Sequence, residues 1–369
     1  MPDHDVAIVG AGPVGLLLAC LLAQRGVDVA VFDARSGADG RSRAIGIHPP
    51  GWAALNAAGV GDDVRTEALV LEGGEVVCGG RVLASLSFGK HQRVLVLPQH
   101  RTDELLRRRL AHRSADALRL GRAVTEVRND GPGVRLSFEA SPDATASFVI
   151  AADGVRSGIR RRLGIGWRAR PGAGWYAMVD IPDVDRGPRA RLHCEQHGLV
   201  ESFPMPGGRR RWVASDPHRA LEDATAFTRA IQARTGIPLD LPAGTRPTIF
   251  QARQHVASRL VDGRIALVGD AAHETSPIGG QGMNLGWVAA VRLASALERA
   301  LDDGRPDFAD YERETLRAAA RAQRRSFFYM TMGRPAHGIA LHARNAVIRT
   351  LGTAPLRDRT AGMITMRGA

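Results

Sequence analysis

An α/β fold, with a parallel sheet that an antiparallel sheet interrupts and C-terminal helices close, follows from three observations. A strand, glycine turn, helix and strand open the chain. Short alternating segments fill residues 168 to 250. A second strand and glycine turn, followed by two long helical stretches, begin at Gly263.

The opening unit is the most specific. Asp5 to Val9 reads as a strand, and Gly10-Ala11-Gly12-Pro13-Val14-Gly15 as a G-x-G-x-x-G turn. The apolar run up to Gln24-Arg25-Gly26 reads as a helix, and Val27 to Asp33 as a second strand ending in an acid. That order is a Rossmann-like dinucleotide site. Gly10 permits the tight turn, Gly12 lets backbone N–H groups approach a pyrophosphate, and Gly15 lets the helix pack on the sheet. The helix N-terminus then faces the phosphates with its partial positive charge. Asp33, 18 residues after Gly15, is placed to accept hydrogen bonds from a ribose.

A polar loop follows from Arg35 to Arg43, then a helix from about Gly51 to Ala58. Residues 69 to 98 alternate in short runs. Leu105, Leu106 and Leu110 at helical spacing predict a helix over 101–112. Strands are expected at 123–128, 133–138 and 146–152, the last ending in Ala152-Asp153-Gly154. Trp175 to Ile181, Arg191 to Cys194, Val200 to Pro204 and Arg211 to Ser215 read as antiparallel strands. A helix is expected over 221–235. The chain then returns to a buried strand, Arg264 to Val268, followed by Gly269-Asp270-Ala271-Ala272-His273 and Pro277 to Asn284. Long helices run to about Leu301 and from Asp307 to Met330, before an amphipathic tail.

The expected organisation is a nucleotide domain in three parts, 1–70, 99–166 and 251–330. A substrate domain spans 167–250, with a contribution from 71–98, and 331–369 is a helical segment.

Composition bounds the function. The 369 residues carry a net charge of +12, but Lys90 is the only lysine and the arginines are dispersed. With no interleaving of aromatic and basic residues, nucleic-acid binding is not expected. Cys20, Cys78 and Cys194 are far apart and show no metal spacing, which predicts a reduced, cytoplasmic protein without a metal. The longest apolar stretch, Val14 to Ala23, is too short to span a bilayer. Oligomeric state is open at this level.

Three separated segments converge: Gly10 to Gly15 with Asp33, Ala152 to Ser157, and Gly269 to Asn284. Together they resemble the single-component FAD-dependent aromatic hydroxylases, which have the p-hydroxybenzoate hydroxylase fold and a glutathione-reductase-type FAD domain. The resemblance spans essentially the whole chain. It implies that Gly10, Gly12, Pro13, Val14 and Gly15 line the pyrophosphate and that Asp33 holds the ribose, where many relatives have Glu. It places Ala34, Arg35, Arg43 and Gln99 along the FAD path. Asp153 and Gly154 match a motif serving FAD and NAD(P)H. Gly269 and Asp270 match the ribityl and pyrophosphate region, and Pro277, Gly280, Gly282, Met283 and Asn284 the strip beside the flavin ring. The sequence departs from relatives that carry an arginine near Pro50.

The implied reaction is a monooxygenation. NADH or NADPH, as a transient reductant, reduces FAD, and a flavin C4a-hydroperoxide derived from O2 hydroxylates a phenolic or polyketide-like small molecule. No second G-x-G-x-x-G unit exists for the reductant. Epoxidation, ketone oxygenation and isoprenoid double-bond reduction are alternatives on the same scaffold. Two catalytic candidates stand out. His48 is either an active-site group or a loop histidine held by Pro49 and Pro50. Arg253 is either a flavin or substrate contact or a surface ion-pair partner. His193 and Glu201, on inserted strands, are expected at the surface rather than facing substrate, and His273 is expected to order its loop.

Overall fold

The computed structural model describes residues 2–37, 44–89, 93–183, 187–354 and 356–367, so Arg43 lies outside the described residues. Val6, Ala7 and Ile8 of the strand His4–Val9 are 0% exposed, as a central strand covered by helices on both faces requires. It pairs in parallel with Val29–Asp33 on one side and Ala144–Ala151 on the other. Ile265–Leu267 lies parallel beyond Ala144–Ala151, and Leu118–Leu120 beyond Val29–Asp33. Val124–Asp130 and Gly133–Phe138 form an antiparallel meander leading into Ala144–Ala151.

The helix Pro13–Ala23 is apolar on every side because every side is covered. Leu16, Leu17, Leu18 and Leu22 are fully buried, and each such side chain stabilises by about 1.5–3 kcal/mol. Cys20 Sγ donates to the Leu106 carbonyl of the helix Gln99–Arg113 at 3.4 Å. Trp287 Nε1, in the helix Gly282–Asp303, donates to the Pro13 carbonyl at 3.1 Å. Gly286 admits this contact, since a Cβ there would come within 2.6 Å of the Val14 side chain.

The inserted strands form a seven-stranded sheet. Its order is Thr248–Ala252, Gly174–Pro182, Arg209–Ser215, Gly198–Met205, Arg189–Glu195, Gly73–Cys78 and Arg81–Ser87. One face packs on the helix Ala224–Thr235, burying Val179, Val200, Trp212, Phe227 and Ile231 together. The other face, with Tyr176, Leu199 and Val213, packs on Ile278 and on Met330 of the helix Ala309–Met332. Between the large sheets lies a small one of Gly46–Ile47, Val94–Val96 and Leu69–Leu71. The helices Gly338–Leu351 and Leu356–Ile364 follow. Among the described residues no helix is long and apolar enough to cross a membrane.

Candidate active site

Parallel pairing brings the carboxyl ends of His4–Val9, Ala144–Ala151 and Ile265–Leu267 side by side. Each end runs directly into one of the three glycine turns, and ligands of open α/β sheets bind at such ends. Gly10 has φ +110, and a Cβ there would lie 2.3 Å from the Ala152 carbonyl oxygen. A Cβ on Gly15 would lie 2.1 Å from the Gly10 oxygen. These two glycines are needed for the close packing of the turn itself. Gly12 differs, because a Cβ there would meet nothing within 4 Å. The helix behind it starts at Pro13 with no side-chain cap, so its first N–H groups are left for a ligand or water.

Asp33 ties this turn to the next segment. Its carboxylate accepts from the Ala11 N–H at 2.7 Å, the Arg35 N–H at 2.8 Å, and the Arg35 guanidinium at 2.9 and 2.7 Å. Burial pushes its pKa up, but the hydrogen bonds from Arg35 and Ala11 outweigh burial and hold it low. Ala34, between the two, is exposed. All the acceptor positions of the carboxylate are engaged, so a ribose hydroxyl reaching Asp33 must displace the Arg35 side chain.

Asp153 follows Ala144–Ala151. Its Oδ2 accepts from the Gly158 and Ile159 N–H groups at 2.8 and 3.3 Å, while its buried Oδ1 has no partner among the described residues. Gly154, at φ +78, turns the chain beneath it. Arg160 donates to the Ala271 carbonyl at 3.0 Å and the Val155 carbonyl at 2.9 Å, with its guanidinium 3.7 Å from the Trp167 ring. It joins the second motif to the third. Sequence reading missed it, because it sits in an ordinary-looking Arg160-Arg161-Arg162 cluster.

In the third motif Gly269 has φ +63 and a Cβ there would lie 3.2 Å from Val14, and Asp270 is exposed at the strand end. Pro277 is exposed and Met283 half-buried. Gly279 and Gly280 have φ +94 and +66; a Cβ on the first would lie 2.7 Å from the Tyr329 ring, and on the second 3.3 Å from His48 Nε2. Gly282 begins the long helix.

Asn284 is the clasp of this region. Its Oδ1 accepts the His48 N–H at 2.8 Å, and its Nδ2 donates to the Gly46 and Gly280 carbonyls at 2.9 and 3.0 Å. Gln99 at the start of its helix donates its N–H to the Ala44 carbonyl at 3.0 Å. Asn284→Ala is expected to lower stability by about 3 kcal/mol, from three hydrogen bonds of a fully buried side chain at about 1 kcal/mol each. Urea unfolding measures this, and an unchanged midpoint would show that the clasp carries no energy.

The catalytic candidates separate. His48 lies 5% exposed beside Gly280, and burial pushes its pKa down to about 4, so the ring is neutral near pH 7. His273 is buried and held neutral for the same reason. Arg253 is not brought to the loop. Ala252 takes the inward position at the end of its strand, and the exposed Arg253 guanidinium donates to Gln251 at 2.7 Å.

His193 and Glu201 correct the expectation of surface exposure, since both are 4% exposed. Register assigns them opposite faces. Glu201 pairs with Leu192, so His193, one residue on, points away from it. Glu201 shares the face that packs on Ile278 and Met330, whereas His193 lies with Val200 on the face toward Ala224–Thr235. The aromatic candidates divide the same way: Tyr176, Met178 and Phe203 lie on the face toward the loop and Trp212 on the other. Burial pushes the Glu201 carboxyl up to about 7.

Three glycine turns on neighbouring strand ends, a free space before Gly12 and a largely apolar sheet face packed on the 276–284 loop define a dinucleotide-binding protein. The profile of the family described as "FAD binding domain" matches residues 3–326, and the chain belongs to that family. It is 34% identical over 333 residues to the ubiquinone hydroxylase UbiL of Rhodospirillum rubrum, covering 84% of this chain and 76% of that protein. It is 32% identical over 315 residues to the 12-dehydrotetracycline 5-monooxygenase/anhydrotetracycline 6-monooxygenase of Streptomyces rimosus. That match covers 79% of this chain and 61% of the relative's length. The crystal structure of p-nitrophenol 4-monooxygenase from Pseudomonas putida shares the fold, with a TM-score of 0.82 at 22% identity over 99% of both chains.

Proposed function

We propose that this protein is an FAD-dependent monooxygenase that uses NADH or NADPH and O2 to hydroxylate a phenolic or polyketide-like aromatic molecule. The observation that carries the reading is the sheet face bearing Glu201, Met178, Tyr176 and Phe203 opposite the Gly279–Gly280 loop. The family relationship and the names of the relatives support it.

The residues fit FAD. The space before Gly12 admits a pyrophosphate against an uncapped helix N-terminus. The orphaned, buried Asp153 Oδ1 offers an acceptor to a ligand hydroxyl or amide. Gly279 and Gly280 carry no side chain between the loop backbone and a flavin ring. FAD, when bound, supplies electron acceptance from the nicotinamide and activation of oxygen.

The protein's part is positioning and exclusion of water. Asn284 holds the His48 segment and the Gly280 loop at one spacing. Neutral His48 brings no positive charge to the loop. Ile278, Tyr329 and Met330 pack against the sheet face beside the loop, and an apolar surround that keeps water from the flavin suppresses wasteful release of peroxide.

The test is NADH and NADPH oxidation by the FAD-loaded protein in air, with and without a panel of phenols and polyketide-like aromatics. Stimulated oxidation with a product heavier by one oxygen is expected. Stimulation with no oxygen in the product would favour a reductase on this fold. No stimulation by any aromatic would overturn the reading.

A further inference from the structure

Glu201 stands in the middle of the seven-stranded sheet. Across five strands the register aligns Met178, Val213, Glu201, Leu192 and Val76 in one row. Four of these are apolar and the fifth is a carboxylic acid 4% exposed. Among the described residues no donor or cation makes a hydrogen bond or ion pair with it. Burial without a partner is costly for a carboxylate, and a structural role in this row would suit leucine better.

The charged and titratable neighbours do not supply the missing partner. Tyr176, on the next strand but one, and Cys194, on the adjacent strand, have their pKa values raised first by burial, with the Glu201 charge adding to it. Arg334 and Arg344 act on those two groups in the opposite sense. Arg211, diagonal to Glu201 on the same face, is held by both oxygens of Asp180 at 2.7 Å. On the facing elements, Tyr329 is half-buried with its phenol pushed up to about 12 by burial, and His48 is neutral.

We propose that Glu201 is the acceptor for a hydroxyl or amino hydrogen on the ring of the substrate, so that the substrate site selects neutral, hydrogen-bond-donating aromatics and rejects aromatic carboxylates. The proposal rests on the monooxygenase reading and adds a substrate class to it. With a phenol bound, the ring O–H bond breaks, the proton forms a new O–H bond on Glu201, and the electron pair stays on the ring oxygen. The site carries one negative charge before and after, so no other counter-charge is needed. The ring oxygen gains electron density to share with its ortho and para carbons. The proton returns to an oxygen of the product as it leaves. A carboxyl titrating near 7 suits this exchange at neutral pH.

Three probes of similar shape test it: 4-methylphenol, which stays neutral over this range and donates a hydrogen bond; 4-methylanisole, which does not; and 4-methylbenzoate, which is an anion. Binding to the FAD-loaded protein is measured by equilibrium dialysis without reductant, across the pH range about 6 to 8 that brackets the Glu201 titration. The unaltered protein is expected to bind 4-methylphenol at least about tenfold tighter than either other probe, the worth of one charge-assisted hydrogen bond. Its preference should change with pH. In Glu201→Gln the pH dependence should vanish and 4-methylbenzoate should bind at least about tenfold tighter than before, because the like-charge repulsion is gone. Glu201→Asp keeps the charge on a shorter stem, and should still exclude 4-methylbenzoate while weakening 4-methylphenol. This second variant keeps the test decisive if the glutamine variant misfolds.

Equal binding of 4-methylphenol and 4-methylbenzoate, no binding of 4-methylphenol, or an unchanged pH profile in Glu201→Gln would each overturn the proposal. Because no reductant is present, the two readings fail separately. Ring hydroxylation without the binding preference removes Glu201 alone, and the preference without hydroxylation removes the reaction alone.

Discussion

Valine in place of Gly12 is expected to yield a folded protein that no longer holds FAD. The backbone at Gly12 has φ −83 and ψ −179, a conformation open to any L-residue, and a Cβ there meets no protein atom within 4 Å. The folded state therefore loses only about 1 kcal/mol, the cost of a poor residue at the helix N-cap. The added methyl groups fill the space in front of the helix N-terminus, where a pyrophosphate would approach the backbone N–H groups. Losing two or more such charge-assisted hydrogen bonds weakens FAD at least about 100-fold. Gly15→Val behaves in the opposite way. Its Cβ would stand 2.1 Å from a backbone oxygen, so the βαβ unit itself is disrupted and the protein fails to fold. Flavin absorbance per mole of purified protein, beside a circular-dichroism melt, separates the two outcomes. Full flavin occupancy in folded Gly12→Val would sink the assignment of this turn.

Glu201→Gln is expected to stabilise the protein at alkaline pH and leave it unchanged at acid pH. The folded carboxyl titrates near 7, against an ordinary value of 4.5. Below about pH 4.5 both folded and unfolded chains hold the proton, and burial of the neutral acid carries no ionic penalty. As pH rises, the unfolded chain releases its proton first, so stability falls until the folded carboxyl has also ionised. Above about pH 7 the loss is complete and amounts to about 3 kcal/mol, at about 1.4 kcal/mol for each tenfold difference in proton affinity between the folded and unfolded chains. Glutamine has no charge to bury, so the variant gains that amount over the unaltered protein at about pH 8. The acid limb of the profile draws on His48 and His273, both pushed down to about 4 by burial, and on Asp33, held low by its hydrogen bonds. Those neutral imidazoles lose stability as pH falls below about 6.5 in either protein, so the difference between the two profiles isolates Glu201. Urea midpoints across the range measure it; a difference that does not vary with pH contradicts a buried, unpartnered carboxylate.

Much of the architecture was legible in the chain because its signals are local. The helix expected over 101–112 spans Gln99–Arg113, and the one expected over 221–235 spans Ala224–Thr235. The strand expected at 133–138 is found at Gly133–Phe138, and the long C-terminal helices lie within a few residues of their expected ends. Glycine turns, helical spacing and short alternating runs each act through the backbone of a few neighbouring residues, and a one-dimensional reading captures them.

The class of fold, the three turns and hence the kind of cofactor could be read from the residues in order. Which polar side chains lie inside, and where they point, was settled only by long-range packing. Glu201 and His193 look alike as polar residues on strands, and polar residues are usually exposed. Their burial, and their placement on opposite faces, came from a register set by pairing with partners elsewhere in the chain, where a shift of one residue reverses every side chain. The clasp of Asn284 on Gly46 and His48, and the bond from Arg160 to Ala271, likewise join residues more than a hundred positions apart. Such contacts have no local signature, because the energy that forms them is released only when distant segments have already packed.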